Sequence, residues 1–166
     1  HWVDILSRAN VVFNEKGKGV RLVGTHVDIT DRKKAEKTLN EYKLFLDQIS
    51  DVAYTTDTDG NVTYANPAAE KFTGRPVEDI IGKSFIPLFV ETDHPSVIDV
   101  YNRALSGESL ENTLTFKTGV TCHFSILPKK NSQGEIVGTF GIARDIGDIL
   151  SYQKALEESE ERLKES

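Results

Sequence analysis

The 166-residue sequence has no methionine, one cysteine and one tryptophan. A single thiol, Cys122, excludes an internal disulfide and gives no sign of an oxidising compartment. No apolar run approaches the length of a membrane span, and no signal-peptide pattern is visible. A cytoplasmic location is therefore expected. A basic patch is also missing. The chain has 20 Lys and Arg against 26 Asp and Glu, a net charge of −6, with Glu157, Glu158, Glu160 and Glu161 crowded near its end. Nucleic acid needs concentrated positive charge, so no nucleic-acid partner is expected. There is no glycine-rich phosphate loop, no nucleophile elbow and no paired metal motif, so neither an enzyme nor a metal site is expected. The lack of methionine, with His1 first and a strand opening abruptly, predicts a piece of a longer chain.

What is present reads as globular. Hydrophobic residues make up 38% and charged residues 28%, enough for one domain with a real core plus flanking helices. The chain is organised around Asp28-Ile29-Thr30 and a predicted helix running to about Ser50. Ala35, Leu39, Tyr42, Leu46 and Ile49 recur at heptad spacing on one face of it, a stripe suited to a homodimer. Thr30 is expected to be the N-cap, its hydroxyl accepting a free N–H of the first turn. Asp145-Ile146-Gly147 opens a second such element, with Ile149, Tyr152, Leu156 and Leu163 on its stripe.

Residues 1–13 and 20–29 read as two strands joined by a glycine-rich turn, with Val3, Ile5, Ala9 and Val11 on one face of the first. Two strands alone are marginal in water, so this hairpin needs a partner. Residues 52–56 and 61–65 read as short strands around the turn Asp57-Thr58-Asp59-Gly60. Asn66-Pro67 then predicts a helix start, with Asn66 as N-cap and Gly74 as the stop. A short helix follows at Pro76 to Ile81, then an irregular apolar stretch from Lys83 to Asp93. Val97, Val100, Tyr101, Ala104 and Leu105 form one helical stripe. Three alternating strands close the unit at 110–117, 120–127 and 136–144. This order predicts an α+β domain with a five-stranded antiparallel sheet, helices on one face, and amphipathic linker helices on either side.

The chain repeats itself. Gly24 and Gly141 are 141 − 24 = 117 apart, and Asp28 and Asp145 are 145 − 28 = 117 apart. The same offset carries Gly17 onto Gly134, Leu39 onto Leu156, Leu46 onto Leu163, and Val3, Ile5 and Ala9 onto Val120, Cys122 and Ile126. Turn, strand face and helix stripe repeat together. The expected organisation is the last two strands of one domain (1–30), a linker helix (31–50), a whole domain (51–147) and the start of a second linker helix (148–166).

These residues resemble the PAS family of sensor domains with its C-terminal PAC half. Asp57-x-x-Gly60-x-Val62-x-Tyr64-x-Asn66-x-Ala68-x-Glu70-x-x-x-Gly74 with Ile81-Gly82 is similar to the N-terminal half. Gly134-x-Ile136-x-Gly138-x-x-Gly141-x-x-x-Arg144-Asp145-Ile146 is similar to the C-terminal half. Asp28-Ile29-Thr30-Asp31-Arg32-Lys33 resembles the exit into a signalling helix. Gly147 departs from the family's usual threonine, and Asp148 is the substitute cap.

The resemblance implies a ligand cavity between sheet and helices. Its expected lining is Phe85, Leu88, Phe89, Val97, Tyr101, Leu105, Phe116, Phe124 and Phe140, residues that would serve equally in a solid core. It also implies that Asp28, Ile29, Thr30, Asp145 and Ile146 join domain to linker. His94, before Pro95, is the residue nearest a haem-ligand position, and a histidine at a helix start is more often a cap or surface group. Cys122 lacks the Asn-Cys-Arg-Phe context of the flavin-binding photosensor branch and reads as a small buried hydrophobe. Cys122 and His123 point to opposite faces of a strand, so they cannot chelate one metal. No cofactor is required by the sequence. The implied role is a sensory module of a multidomain protein with a histidine kinase or diguanylate cyclase output domain in the same chain. The competing reading is a ligand-free dimerisation spacer.

Overall fold

The computed structural model describes residues 2–164. They divide into two compact units, with the boundary between Phe45 and Leu46.

In the first unit, β1 (Ile5–Phe13) pairs antiparallel with β2 (Gly19–Asp28). The strand begins at Ile5, so Val3 precedes it, and His1 lies outside the described residues. Asn14 closes the turn by accepting the N–H groups of Lys16 and Lys18 at 3.0 and 2.9 Å. Helix α1 (Thr30–Gln48) follows. Its cap differs from the sequence expectation. Asp28 Oδ1 accepts the Thr30 N–H at 2.9 Å, while the Thr30 hydroxyl accepts the Asp4 N–H at 2.9 Å. Thr30 is already the first helical residue, so its own N–H is one of those needing an acceptor, and Asp28 two residues back supplies it. The Thr30 side chain and then its backbone N–H hold the Asp28 carboxyl below its ordinary pKa.

The second unit contains one antiparallel sheet ordered β4-β3-β7-β6-β5. Its strands are β3 (Val52–Thr56), β4 (Val62–Ala65), β5 (Leu110–Thr115), β6 (Thr121–Lys130) and β7 (Ile136–Asp145). Between β4 and β5 lie α2 (Ala68–Thr73), α3 (Val77–Ile80), two short 3-10 turns and α4 (His94–Leu105). Period-two alternation sets the inner face. Cys122, Phe124 and Ile126 are buried on β6, and they face Asp145, Ala143 and Gly141 of β7 in register. Val97, Val100 and Ala104 of α4 and Ala69 and Phe72 of α2 bury their side chains in the same core. Phe89 and Phe116 stack with centroids 4.9 Å apart, and both lie against Phe124. Burying each such ring stabilises the fold by roughly 1.5–3 kcal/mol. Helix α5 (Gly147–Lys164) leaves the end of β7. The last two residues of the expected 148–166 linker lie outside the described residues.

The repeat extends to individual hydrogen bonds. The pair Ile5↔Asp28 matches Cys122↔Asp145, and the bulge at Val12/Phe13 matches that at Lys129/Lys130. Asn131 accepts the N–H groups of Gln133 and Glu135 as Asn14 does those of Lys16 and Lys18. The Ile29 N–H bonds the Asp4 carbonyl, and the Ile146 N–H bonds the Thr121 carbonyl. Asp145 Oδ1 accepts the Gly147 N–H at 2.8 Å, so Asp145 takes the capping role expected of Asp148.

Candidate functional site

A cavity lies between the inner face of the sheet and the helical layer. It holds about 60 Å³ of space for water-sized molecules, where about 10–15 Å³ suffices for one water. Seven of the nine expected lining residues are brought together there: Phe85, Leu88, Phe89, Val97, Tyr101, Phe116 and Phe124. Two are not. Phe140 pairs with Thr55 and Leu127 on the opposite face of the sheet, because the buried set of β7 is Thr139, Gly141 and Ala143. Leu105 is half-buried at the end of α4 and is not part of the wall.

The polar part of the wall comes from Tyr54, Thr56, Thr73, Thr139 and Tyr101. Four of these are engaged within the protein. Thr56 and Thr139 share a hydroxyl–hydroxyl bond at 2.7 Å, and the Thr139 N–H donates to Thr56 Oγ1 at 3.2 Å. The Tyr101 hydroxyl donates to the Asp57 carbonyl. Thr73 donates to the Ala69 carbonyl at 2.8 Å. Tyr54 is different. Its ring lies over Gly141, where an added Cβ would sit 2.4 Å from its Cζ and hydroxyl oxygen, and its edge meets Phe124. Burial alone raises its pKa above the ordinary phenol value, with no hydrogen bond to oppose it. Among the described residues, no charged side chain lines the cavity.

Beside the cavity, three side chains fix where the helices join. Asn66 is fully buried and does not cap α2 through its side chain. Its Oδ1 accepts the Ala53 N–H at 3.0 Å, and its Nδ2 donates to the Leu46 carbonyl at 2.9 Å and the Asp51 carbonyl at 3.0 Å. Its backbone carbonyl instead accepts the Ala69 N–H. The expected cap fails because the end of a helix and the start of β3 offer buried polar groups that need partners more than an exposed helix start does. Arg144 donates to Asp51 Oδ2 from Nε at 3.0 Å and Nη2 at 2.9 Å, and Asp145 caps α5. Ile146 is half-buried, as are Ile29 and Thr30 in the first unit. Of the expected stripe, Ala35, Leu39 and Tyr42 on α1 are exposed and Leu46 is half-buried, while Ile49, also half-buried, falls just past the end of the helix at Gln48.

A family model described as the PAS fold matches residues 46–148. The chain belongs to the PAS fold family. The PAS unit is not itself catalytic. Among curated proteins, it is 26% identical over 163 residues to the probable diguanylate cyclase DgcE of Escherichia coli. It is 28% identical over 127 residues to the signal transduction histidine-protein kinase AtoS of the same species. The alignments cover 92% and 75% of this chain but only 15% and 20% of those relatives. A solved PAS domain from Colwellia psychrerythraea shares the fold at a TM-score of 0.56 and 23% identity, covering 67% of this chain and 98% of that one.

Within the PAS unit, His94 Nε2 lies 3.2 Å from the Phe89 carbonyl oxygen, a local contact at the helix start, and His94 does not line the cavity. Cys122 is wholly buried on the inner face of β6, and burial pushes its thiol up to about 12. His123 points the other way, 3.6 Å from Glu111. Among the described residues, no group of three His, Cys, Asp or Glu is placed to hold a metal, and no helix is long and apolar enough to cross a membrane. Sequence reasoning missed Tyr54, Thr56 and Val62 as wall residues. The alternation Val52, Tyr54, Thr56 along one strand carried that signal.

Proposed function

We propose that this PAS unit is the sensory part of a longer signalling protein, in which occupancy of the cavity changes the packing or register of the flanking helices in a dimer. The carrying observation is a mostly apolar cavity walled by β3 and β7, the strands whose ends are tied to the two helices. Two relatives named as a diguanylate cyclase and a histidine kinase favour an output domain of one of those classes in the same chain. Residues 1–30 are read as the last two strands of a preceding PAS unit, residues 31–50 as a linker, 51–147 as the complete unit and 148–166 as the next linker. The hydrogen-bond-by-hydrogen-bond repeat supports that division. Exposure of Leu39 at 69% and Tyr42 at 65% supports a helix stripe that pairs with a second copy.

The alternative is a spacer that dimerises without a ligand, favoured by the small size of the cavity. Native mass spectrometry with an absorption spectrum of the purified chain separates the two. A bound mass released on unfolding is the sensor result, and visible bands would identify a coloured cofactor. The bare chain mass under all conditions, with added small molecules never retained, is the spacer result.

A further inference from the structure

Tyr54 stands on β3, whose alternate residues Val52, Tyr54 and Thr56 all face the cavity. Gly141 opposite has no side chain, so the phenol ring lies flat across β7 and its hydroxyl is carried over the inner sheet face. A bulkier residue at 141 would push the ring away. The other hydroxyls in the wall are bonded within the protein. Tyr101 donates to Asp57, Thr73 donates to Ala69, and the Thr139 and Thr56 hydroxyls bond each other. Among the described residues the Tyr54 hydroxyl, lying over Gly141 in the cavity wall, is the one not bonded in this way. Tyr54 is half-buried, and a cavity-facing hydroxyl that no protein group engages is free to donate to an acceptor inside the cavity.

The walls restrict what that is. They are aliphatic and phenyl groups apart from these hydroxyls, and they offer neither a cation to an anion nor a carboxylate to a cation. An ion placed there would be desolvated without a counter-charge, which excludes charged ligands far more strongly than neutral ones. The small volume limits the occupant to a few heavy atoms unless the Phe85–Val90 segment shifts.

We propose that the cavity binds a small uncharged molecule with an apolar body and one hydrogen-bond acceptor, and that the Tyr54 hydroxyl is the donor that anchors it. This rests on the sensor reading of the same cavity and adds the ligand class and the anchoring residue.

The test is an NMR titration of the full chain with cyclopentanone, a neutral acceptor with an apolar ring. Cyclopentylammonium serves as its charged counterpart, and Tyr54→Phe as the variant. Cyclopentanone is expected to shift the amides of β3, β6 and β7 and the ¹³Cζ signal of Tyr54 in the wild type. Its dissociation constant should rise roughly three- to tenfold in Tyr54→Phe, as for loss of one hydrogen bond. Cyclopentylammonium should shift none of these signals. Cyclopentanone binding with equal affinity to Tyr54→Phe, with the Tyr54 ¹³Cζ signal unmoved, would overturn the anchor while leaving a ligand-binding cavity. Equal binding of the ammonium ion would overturn the neutral class. No cyclopentanone binding at all, with the Tyr54 hydroxyl answered by an ordered water only, would overturn the proposal together with the cavity reading. The Tyr54 ¹³Cζ signal is read in the wild type, so it holds even where the variant folds poorly.

Discussion

The Asn66 carboxamide donates to the Leu46 carbonyl over 2.9 Å, and so ties the last turn of α1 to the start of α2. The same side chain also bonds Ala53 and Asp51, at the start of β3 and just before it. One buried residue therefore holds together Leu46, Asp51 and the start of β3. Removing it as Asn66→Ala strands an N–H and two carbonyls. The expected loss is about 2–4 kcal/mol, read as a lower urea midpoint with an unchanged slope. A change below the error of the measurement would mean that water replaces all three bonds.

Gly141 makes room for Tyr54, and a Cβ there would come within 2.4 Å of the ring. Gly141→Ala should destabilise the unit by about 1–3 kcal/mol through overpacking. It should also alter the Tyr54 ring environment in aromatic NMR spectra. A variant of wild-type stability and spectrum would show that the ring has another place to go.

Asp57 accepts hydrogen bonds from the Asn61 side chain and from the N–H groups of Asn61 and Asp59. The Asn61 side chain is the largest of the causes that hold its carboxyl below the ordinary carboxylate value. With the folded pKa depressed, its contribution is present above the unfolded value of about 3.9 and is lost as pH falls through the folded value. The Asp57–Gly60 turn should therefore loosen only in acid below about pH 4. An NMR titration that places the Asp57 pKa above its model-peptide value would contradict this.

Cys122 has no exposed surface, and its thiol is pushed up to about 12 by burial, then by Asp145 and Asp51. The thiolate is the reactive form, so a thiol reagent at pH 8 should label Cys122 only at the rate of unfolding. Fast labelling of the folded chain would show that β6 opens locally.

Much of this was legible in the residues. The strands announce themselves by alternation, and the Asp57–Gly60 and Asn131–Gly134 turns mark where they fold back. Seven wall residues were legible because large apolar groups on an inner face have few other places to go. Phe140 was misread because β7 alternates Thr139, Gly141 and Ala143 inward, so its small residues are the inner ones. Size then points to the wrong face. Asn66 was misread because a local rule, Asn before Pro at a helix start, matches its sequence, whereas its partners lie 13 to 20 positions away. The Tyr54 role depends on a glycine across the sheet, which no local pattern contains.

Leu39 is exposed in the first unit, and its pairing with a second copy is what the signalling-helix reading requires. Leu39→Glu should lower the sedimentation coefficient at concentrations where the wild type associates. Burial of one leucine supplies only roughly 1.5–3 kcal/mol, so the effect should fade at high concentration. Identical sedimentation of both proteins would remove Leu39 from any interface.

The central claim is that occupancy of the cavity reaches the helices. It is tested most directly by hydrogen exchange of the full chain with and without cyclopentanone. Tyr54 pairs with Gly141 in the sheet, and β7 ends at Asp145, whose carboxylate caps α5. The predicted result is slower exchange in β3 and β7 that continues past Asp145 into the first turn of α5, at Ile149 to Ser151. Slowing confined to the cavity walls, with the α5 amides unchanged, would contradict it.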